Sequence, residues 1–159
     1  MSLEKKVAQK LIKTHKNLSL AESCTGGLLS HRLTNIPGSS NFLKVGLIVY
    51  SNDAKVKLLK IPQKILKTYG AVSSECALAM AKNLRKIYKT DIGLAVTGIA
   101  GPSGATATKP VGLVYIATST PENTRCHQYR LKGSRLHIKS QAATKALHLL
   151  LNLASRNSR

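Results

Sequence analysis

The chain has 159 residues, enough for one domain that buries about two thirds of the surface its unfolded form exposes. Hydrophobic residues at 43% and charged residues at 19% exclude a disordered composition, and no apolar run approaches the ~18–20 residues of a membrane span. Lys+Arg 25 against Asp+Glu 6 gives a formal net charge of +19, a field that attracts nucleic acid, anionic lipid or a phosphorylated small molecule.

Residues 3–16 have the pattern of an amphipathic helix, with Leu3, Val7, Leu11 and Ile12 on one face and lysines on the other. The same segment lacks the apolar stretch of a secretory signal. Asn17 ends it, and residues 18–21 predict a short strand. The turn Glu22-Ser23-Cys24-Thr25-Gly26-Gly27 leads into a helix through about Leu33, closed by Asn35-Ile36-Pro37-Gly38. Residues 44–50 (KVGLIVY) are β-rich with few polar side chains, which predicts an internal strand. Ser51-Asn52-Asp53 supplies N-cap chemistry for a helix through about Lys60, and Pro62 starts another helical turn. After the break at Gly70, Ser73-Ser74-Glu75 caps a long helix with Ala77, Met80, Ala81, Leu84 and Ile87 at helical spacing. Residues 91–97 predict a strand, residues 98–110 a glycine-rich loop, and residues 111–118 another strand. Residues 124–131 alternate weakly and can pair with that strand antiparallel across Pro121-Glu122-Asn123. A last helix runs from about Ser134 to Leu153, with Ala142, Ala146, Leu149, Leu150 and Leu153 inward. The expectation is one α/β domain over residues 1–159, with a mixed sheet of about five strands and helices on both faces.

The basic residues occur in every segment rather than in a tail or stripe. With no Trp, one Phe and five Tyr, platforms for stacking bases are scarce, so a lysine-rich solvated surface explains the charge better than a nucleic-acid groove. Nothing points to a membrane. The six acids, Glu4, Glu22, Asp53, Glu75, Asp91 and Glu122, form no close pair, which argues against paired-carboxylate glycoside hydrolysis and against a carboxylate cage for Mg²⁺ or Ca²⁺. The histidines form no His-x-x-x-His and the cysteines no Cys-x-x-Cys, so no metal and no cofactor is expected. Cys24, Cys76 and Cys126, odd in number and widely spaced, suit the reduced thiols of a cytoplasm.

Open α/β sheets bind ligands where strands end and helices begin, and three such junctions are rich in small polar residues. At residues 22–27, Ser23 sits at the apex of a strand–turn–helix. It is either a nucleophile beside unpaired N–H groups or, with Thr25, an N-cap; the G-x-S-x-G of a nucleophile elbow is absent. At residues 50–55, Lys55 follows Ser51 by four positions and so lies in the first helical turn. A cation is disfavoured there, and the same field, like burial, lowers an amine's pKa. Lys55 is therefore either a general base of a Ser–Lys dyad or one exposed lysine among several. At residues 97–112, Gly98, Gly101, Gly104 and Gly112 permit close backbone approach, and Lys109 offers a point charge for a phosphate. The loop is not a P-loop, and it is either a ligand cradle or a long connection.

The segments AESCTGG (21–27), PGSS (37–40), VYSNDAK (49–55), YGAVS (69–73), VTGIAGP (96–102) and KPVG (109–112) follow one another at fixed spacings over nearly the whole chain. In these the sequence resembles the C-terminal domain of the competence/damage-inducible CinA proteins, a family that includes stand-alone nicotinamide-nucleotide amidases. The resemblance implies a three-layer α/β/α sandwich with a mixed, mostly parallel sheet, usually assembled as a homo-oligomer. It implies hydrolysis of the carboxamide of nicotinamide mononucleotide to the nicotinate form and ammonia, without a metal. It places the nucleophile at Ser23 and the base at Lys55, with Tyr50 beside the dyad and Thr97, Gly98 and Gly101 lining the pocket. Before the last helix the family often has Gly-Asp-Arg-x-x-Val-Arg, where this chain has Gly133-Ser134-Arg135-Leu136-His137-Ile138-Lys139. Arg135 is kept, while Lys139 offers a point charge in place of a fork.

The resulting expectation is a serine amidohydrolase. Ser23 attacks, Lys55 shuttles the proton, backbone N–H groups of Cys24, Thr25, Gly26 and Gly27 hold the oxyanion, and Thr97, the glycine loop, Lys109 and Arg135 position the nucleotide. Cys24 is the other candidate nucleophile on the turn. The contrasting expectation is a non-catalytic module that binds a nucleotide in the same pocket or nucleic acid on its basic surface.

Overall fold

A computed structural model describes residues 1–156, so the last three positions of the expected 1–159 domain lie outside the described residues. Helix α1 (Leu3–Lys13) starts on Ser2, whose Oγ accepts the Lys5 N–H, and buries Val7, Ala8 and Leu11. Strand β1 (Leu18–Glu22) follows and is buried along its whole length. After a turn come helix α2 (Leu28–Thr34), a single 3-10 turn at Ser39–Asn41 and strand β2 (Leu43–Ile48). Three helices then succeed one another: α3 (Asn52–Leu59), α4 (Gln63–Tyr69) and α5 (Ser74–Tyr88). Strands β3 (Ile92–Gly98), β4 (Leu113–Ser119) and β5 (Thr124–Arg130) precede the long helix α6 (Arg135–Ser155).

Helix starts follow local chemistry. The side chains of Ser51, Ser73 and Ser134 each accept the N–H three residues on, at Ala54, Cys76 and His137, which satisfies donors that the first turn leaves unpaired. The sheet order is β2-β1-β3-β4-β5. Strand β1 pairs parallel with β2 and β3, and β3–β4 and β4–β5 are antiparallel, so four of the five strands point the same way and β4 alone opposes them. Helices α1, α2 and α6 cover one face over a core that includes Leu18, Leu20, Phe42 and Leu147. Helix α5, flanked by α3 and α4, covers the other over Ala21, Met80, Ala95 and Ala117. The three layers are the expected α/β/α sandwich. Among the described residues, no helix is long and apolar enough to cross a membrane.

Two expectations need correction. Strand β2 is an edge strand, paired only with β1, and its residues alternate between half-buried and exposed; Ile48 is 55% exposed. Its apolar composition suggested two covered faces, but Lys44, Gly46 and Ile48 share one open face. The buried stripe of α6 is also rotated from the expected one: Ala143, Leu147 and Ala154 are fully buried, while Leu149 and Leu153 are only partly so.

The chain leaves β1 for β2 through the α2 layer and reaches β3 through the α3–α5 layer. Strand β1 therefore has its successors on opposite sides, and the crevice at its C-terminal end is a topological switch point.

Candidate active site

A cavity of about 300 Å³ opens at this switch point. It is lined from the ends of three parallel strands: Ser23 and Cys24 after β1, Tyr50, Asn52 and Lys55 after β2, and Thr97 to Gly101 at the end of β3. Arg135 closes one side from the start of α6. Ala71, Val72, Ser103 and Gly104 complete the wall.

Lys55 is the central group. It sits in the first turn of α3 and is only 1% exposed. Its Nζ lies 3.1 Å from Ser23 Oγ, 2.8 Å from the Val49 carbonyl oxygen and 3.1 Å from that of Tyr50. Burial holds the amine's pKa below its ordinary 10.5. The thiols of Cys24 and Cys76 lie close enough to act on it, but burial pushes their own pKa values up to about 12 and about 11. They are neutral near pH 7 and give the ammonium no counter-charge. Among the described residues no carboxylate forms an ion pair with Lys55. Nζ donates to all three oxygens, as the three N–H groups of an ammonium can; on losing a proton it keeps two N–H donors for the carbonyls and gains a lone pair able to accept the Ser23 O–H.

The 23–27 turn does not have the N-cap construction that the sequence allowed. Neither Ser23 nor Thr25 caps α2. The N-cap is Gly27, at φ +95, a left-handed conformation that glycine adopts without a Cβ penalty, and no side chain of its own closes the helix. Glu22 closes it instead, accepting N–H bonds from Leu29 and Ser30 at 2.9 Å each. Thr25 turns inward to the same carboxylate at 2.7 Å. The N–H groups of Cys24, Thr25 and Gly27 have no protein acceptor among the described residues. Cys24 lines the cavity, whereas Thr25, Gly26 and Gly27 lie outside its wall. Lys139 reaches the turn from α6: a Cβ on Gly26 would lie 3.5 Å from its Nζ.

Thr97 is held by donating to the Ala71 carbonyl at 2.9 Å. Arg135 spans the mouth, donating to the Gly101 carbonyl at 2.7 Å and to Tyr50 Oη at 3.1 Å, which ties the glycine loop to the segment just ahead of α3, the helix that carries Lys55. Lys109 is not in the cavity wall. Its amine donates to the Tyr69 carbonyl at the end of α4. The sequence reading missed Glu22, Asn52 and Ser103. An acid just ahead of an expected helix start is a recognisable signal for the first; Asn52 and Ser103 carry none beyond lying in the right loops.

Fold and cavity together define an α/β domain that holds a buried serine–lysine contact in a small-molecule-sized pocket. A family model described as the CinA C-terminal domain matches residues 1–154. A CinA-like protein of Syntrophotalea carbinolica is 50% identical over 144 residues, covering 91% of this chain and 35% of that protein. A CinA-like protein of Dictyoglomus thermophilum is 47% identical over 149 residues, 94% of this chain and 36% of that protein. The chain thus spans little more than a third of the curated relatives it matches. The crystal structure of competence/damage inducible protein CihA from Agrobacterium tumefaciens superposes with a TM-score of 0.90 at 38% identity, over 96% of each chain. That of a CinA superfamily protein from Klebsiella pneumoniae does so with a TM-score of 0.93 at 29% identity, again over 96% of each. The chain belongs to the CinA C-terminal domain family.

Proposed function

We propose that this chain is a serine amidohydrolase that converts nicotinamide mononucleotide to nicotinate mononucleotide and ammonia without a metal. The observation that carries the reading is the 3.1 Å contact between Lys55 Nζ and Ser23 Oγ, made by a buried amine with a lowered pKa at the wall of an open cavity. Ser23 Oγ attacks the carboxamide carbon as its proton passes to Lys55 Nζ. The carbonyl oxygen becomes an oxyanion, for which the unclaimed N–H of Cys24 is the turn's donor at the cavity wall, those of Thr25 and Gly27 being unclaimed but outside it. Lys55 then returns the proton to the departing nitrogen, ammonia leaves, and a water activated by the same amine hydrolyses the acyl-enzyme. Thr97, Gly98, Gly101, Tyr50 and Arg135 would orient the nucleotide, and Lys139 adds positive charge beside the turn. Cys24 is a poor rival: a thiol pushed up to about 12 holds almost no thiolate near neutrality.

Ammonia release from a panel of pyridine nucleotides tests the reading. Nicotinamide mononucleotide is expected to be turned over, and Ser23→Ala to lose at least about a hundredfold in kcat with the fold intact. No ammonia from any member of the panel, together with DNA retention that falls steeply with salt, would replace the enzyme by the binding module.

A further inference from the structure

Successive strand residues point to opposite faces, so Glu22 and Ser23 leave the end of β1 in opposite directions. Ser23 turns to Lys55 beneath α3, and Glu22 turns into the α2 layer. Glu22 is fully buried, and its two oxygens are taken by four donors. Oε1 accepts from Thr25 Oγ1 at 2.7 Å and from the Leu29 N–H at 2.9 Å; Oε2 accepts from the Ser30 N–H at 2.9 Å and from Ser30 Oγ at 2.6 Å. Among the described residues no basic side chain pairs with it. The buried carboxylate and the buried amine that flank the nucleophile, Glu22 and Lys55, therefore do not neutralise each other. The carboxylate is spent on the α2 side, and the amine on the other side has no counter-ion.

We propose that Glu22 is a positioning residue for Ser23. By closing α2 and pinning Thr25 it fixes the turn whose first residue is the nucleophile, which holds Ser23 Oγ against Lys55 and leaves the Cys24, Thr25 and Gly27 N–H groups without an internal acceptor. The proposal rests on the serine amidohydrolase reading. Hydroxyl donors can rotate to suit a new partner, but the Leu29 and Ser30 N–H groups cannot. A glutamine at 22 would set its NH₂ against one of those N–H groups in either orientation, and the turn would have to shift.

The test compares wild type, Glu22→Gln and Thr25→Val by steady-state kinetics with nicotinamide mononucleotide, by melting temperature, and by the rate at which a fluorophosphonate labels Ser23, where Oγ displaces fluoride. Glu22→Gln is expected to lower both kcat and labelling by about a hundredfold while KM stays within about threefold, since a displacement near 1 Å at a reacting atom has an effect of that order. Thr25→Val, which removes a single donor, is expected to show a smaller loss of the same kind, and it decides the matter should Glu22→Gln not fold. A lowered melting temperature with kcat and labelling unchanged per folded molecule overturns the proposal, because a residue that only supports the fold would behave that way. If wild type labels at Ser23 yet releases no ammonia, the substrate assignment fails and the labelling rates still judge Glu22. A wild-type Ser23 that reacts with neither reagent overturns both.

Discussion

Replacing Lys55 by methionine separates its chemistry from its packing. Methionine keeps most of the buried stem and removes the amine, and with it the contacts to Ser23 Oγ, the Val49 carbonyl and the Tyr50 carbonyl. Val49 is fully buried, so its carbonyl loses a donor at a cost of about 1–3 kcal/mol; Tyr50 is exposed and water can replace the amine there. Against this stands relief from burying an amine that its surroundings disfavour when charged. The two effects oppose, and the net change in stability is expected to stay within about 2 kcal/mol at neutral pH. The barrier responds differently, since loss of a general base raises it by at least about 2.7 kcal/mol, a hundredfold in kcat. Ammonia release alongside thermal melts measures both. The pH dependence has a definite sign. In wild type, activity rises as Lys55 loses its proton, with a midpoint below the ordinary 10.5, and Lys55→Met lacks that rise. Between the lowered folded value and 10.5 the unfolded chain binds the extra proton, so this group makes wild-type stability increase with pH; below the folded value its penalty is fully present. The wild-type advantage over Lys55→Met therefore grows as pH rises through that window. Near wild-type turnover in a folded Lys55→Met, or an activity midpoint at or above 10.5, would refute the reasoning.

Iodoacetamide at pH 8 should modify Cys24 at least about a thousandfold more slowly in the folded chain than in urea, because a thiol pushed up to about 12 is about one ten-thousandth thiolate there; peptide mass spectrometry follows it, and fast alkylation with loss of activity would restore Cys24 as a nucleophile. Arg135→Lys replaces a fork bonded to the Gly101 carbonyl and Tyr50 Oη by one ammonium, so KM should rise about tenfold with kcat within about threefold; unchanged KM would remove Arg135 from binding. Gly112→Ala drives a Cβ into the Leu131 carbonyl oxygen at φ +90 and threatens the 2.8 Å bond from the Leu131 N–H to the Gly112 carbonyl. Left-handed strain of about 1–2 kcal/mol and a damaged hydrogen bond of about 1 kcal/mol predict a melting temperature lower by roughly 5–10 °C, and a change under about 1 °C would show that the loop relaxes freely.

What could be read from the residues divides by the range of the interaction involved. Ser51, Ser73 and Ser134 were legible as helix starts because each side chain reaches a backbone N–H three residues ahead, a distance fixed by local geometry. The place of β2 in the sheet was not, since an edge strand differs from an internal one by what lies beside it. Glu22 is less legible because the backbone donors it closes, at Leu29 and Ser30, lie seven and eight residues on, beyond a glycine that must first turn left-handed. A cation in a glycine-rich loop suggests a phosphate contact at Lys109, while the structure gives its amine a carbonyl partner 40 residues earlier. Lys55 lies between these cases. Its place in the first turn of a helix singles it out, but the leading cause of its lowered pKa is burial, which no local pattern displays among 25 basic residues. The helix start decides where the amine points, and enclosure by the α3–α5 layer, with Glu22 committed to the opposite face, decides its charge. In the proposed reaction, a serine 32 residues away acquires a base only when both conditions hold.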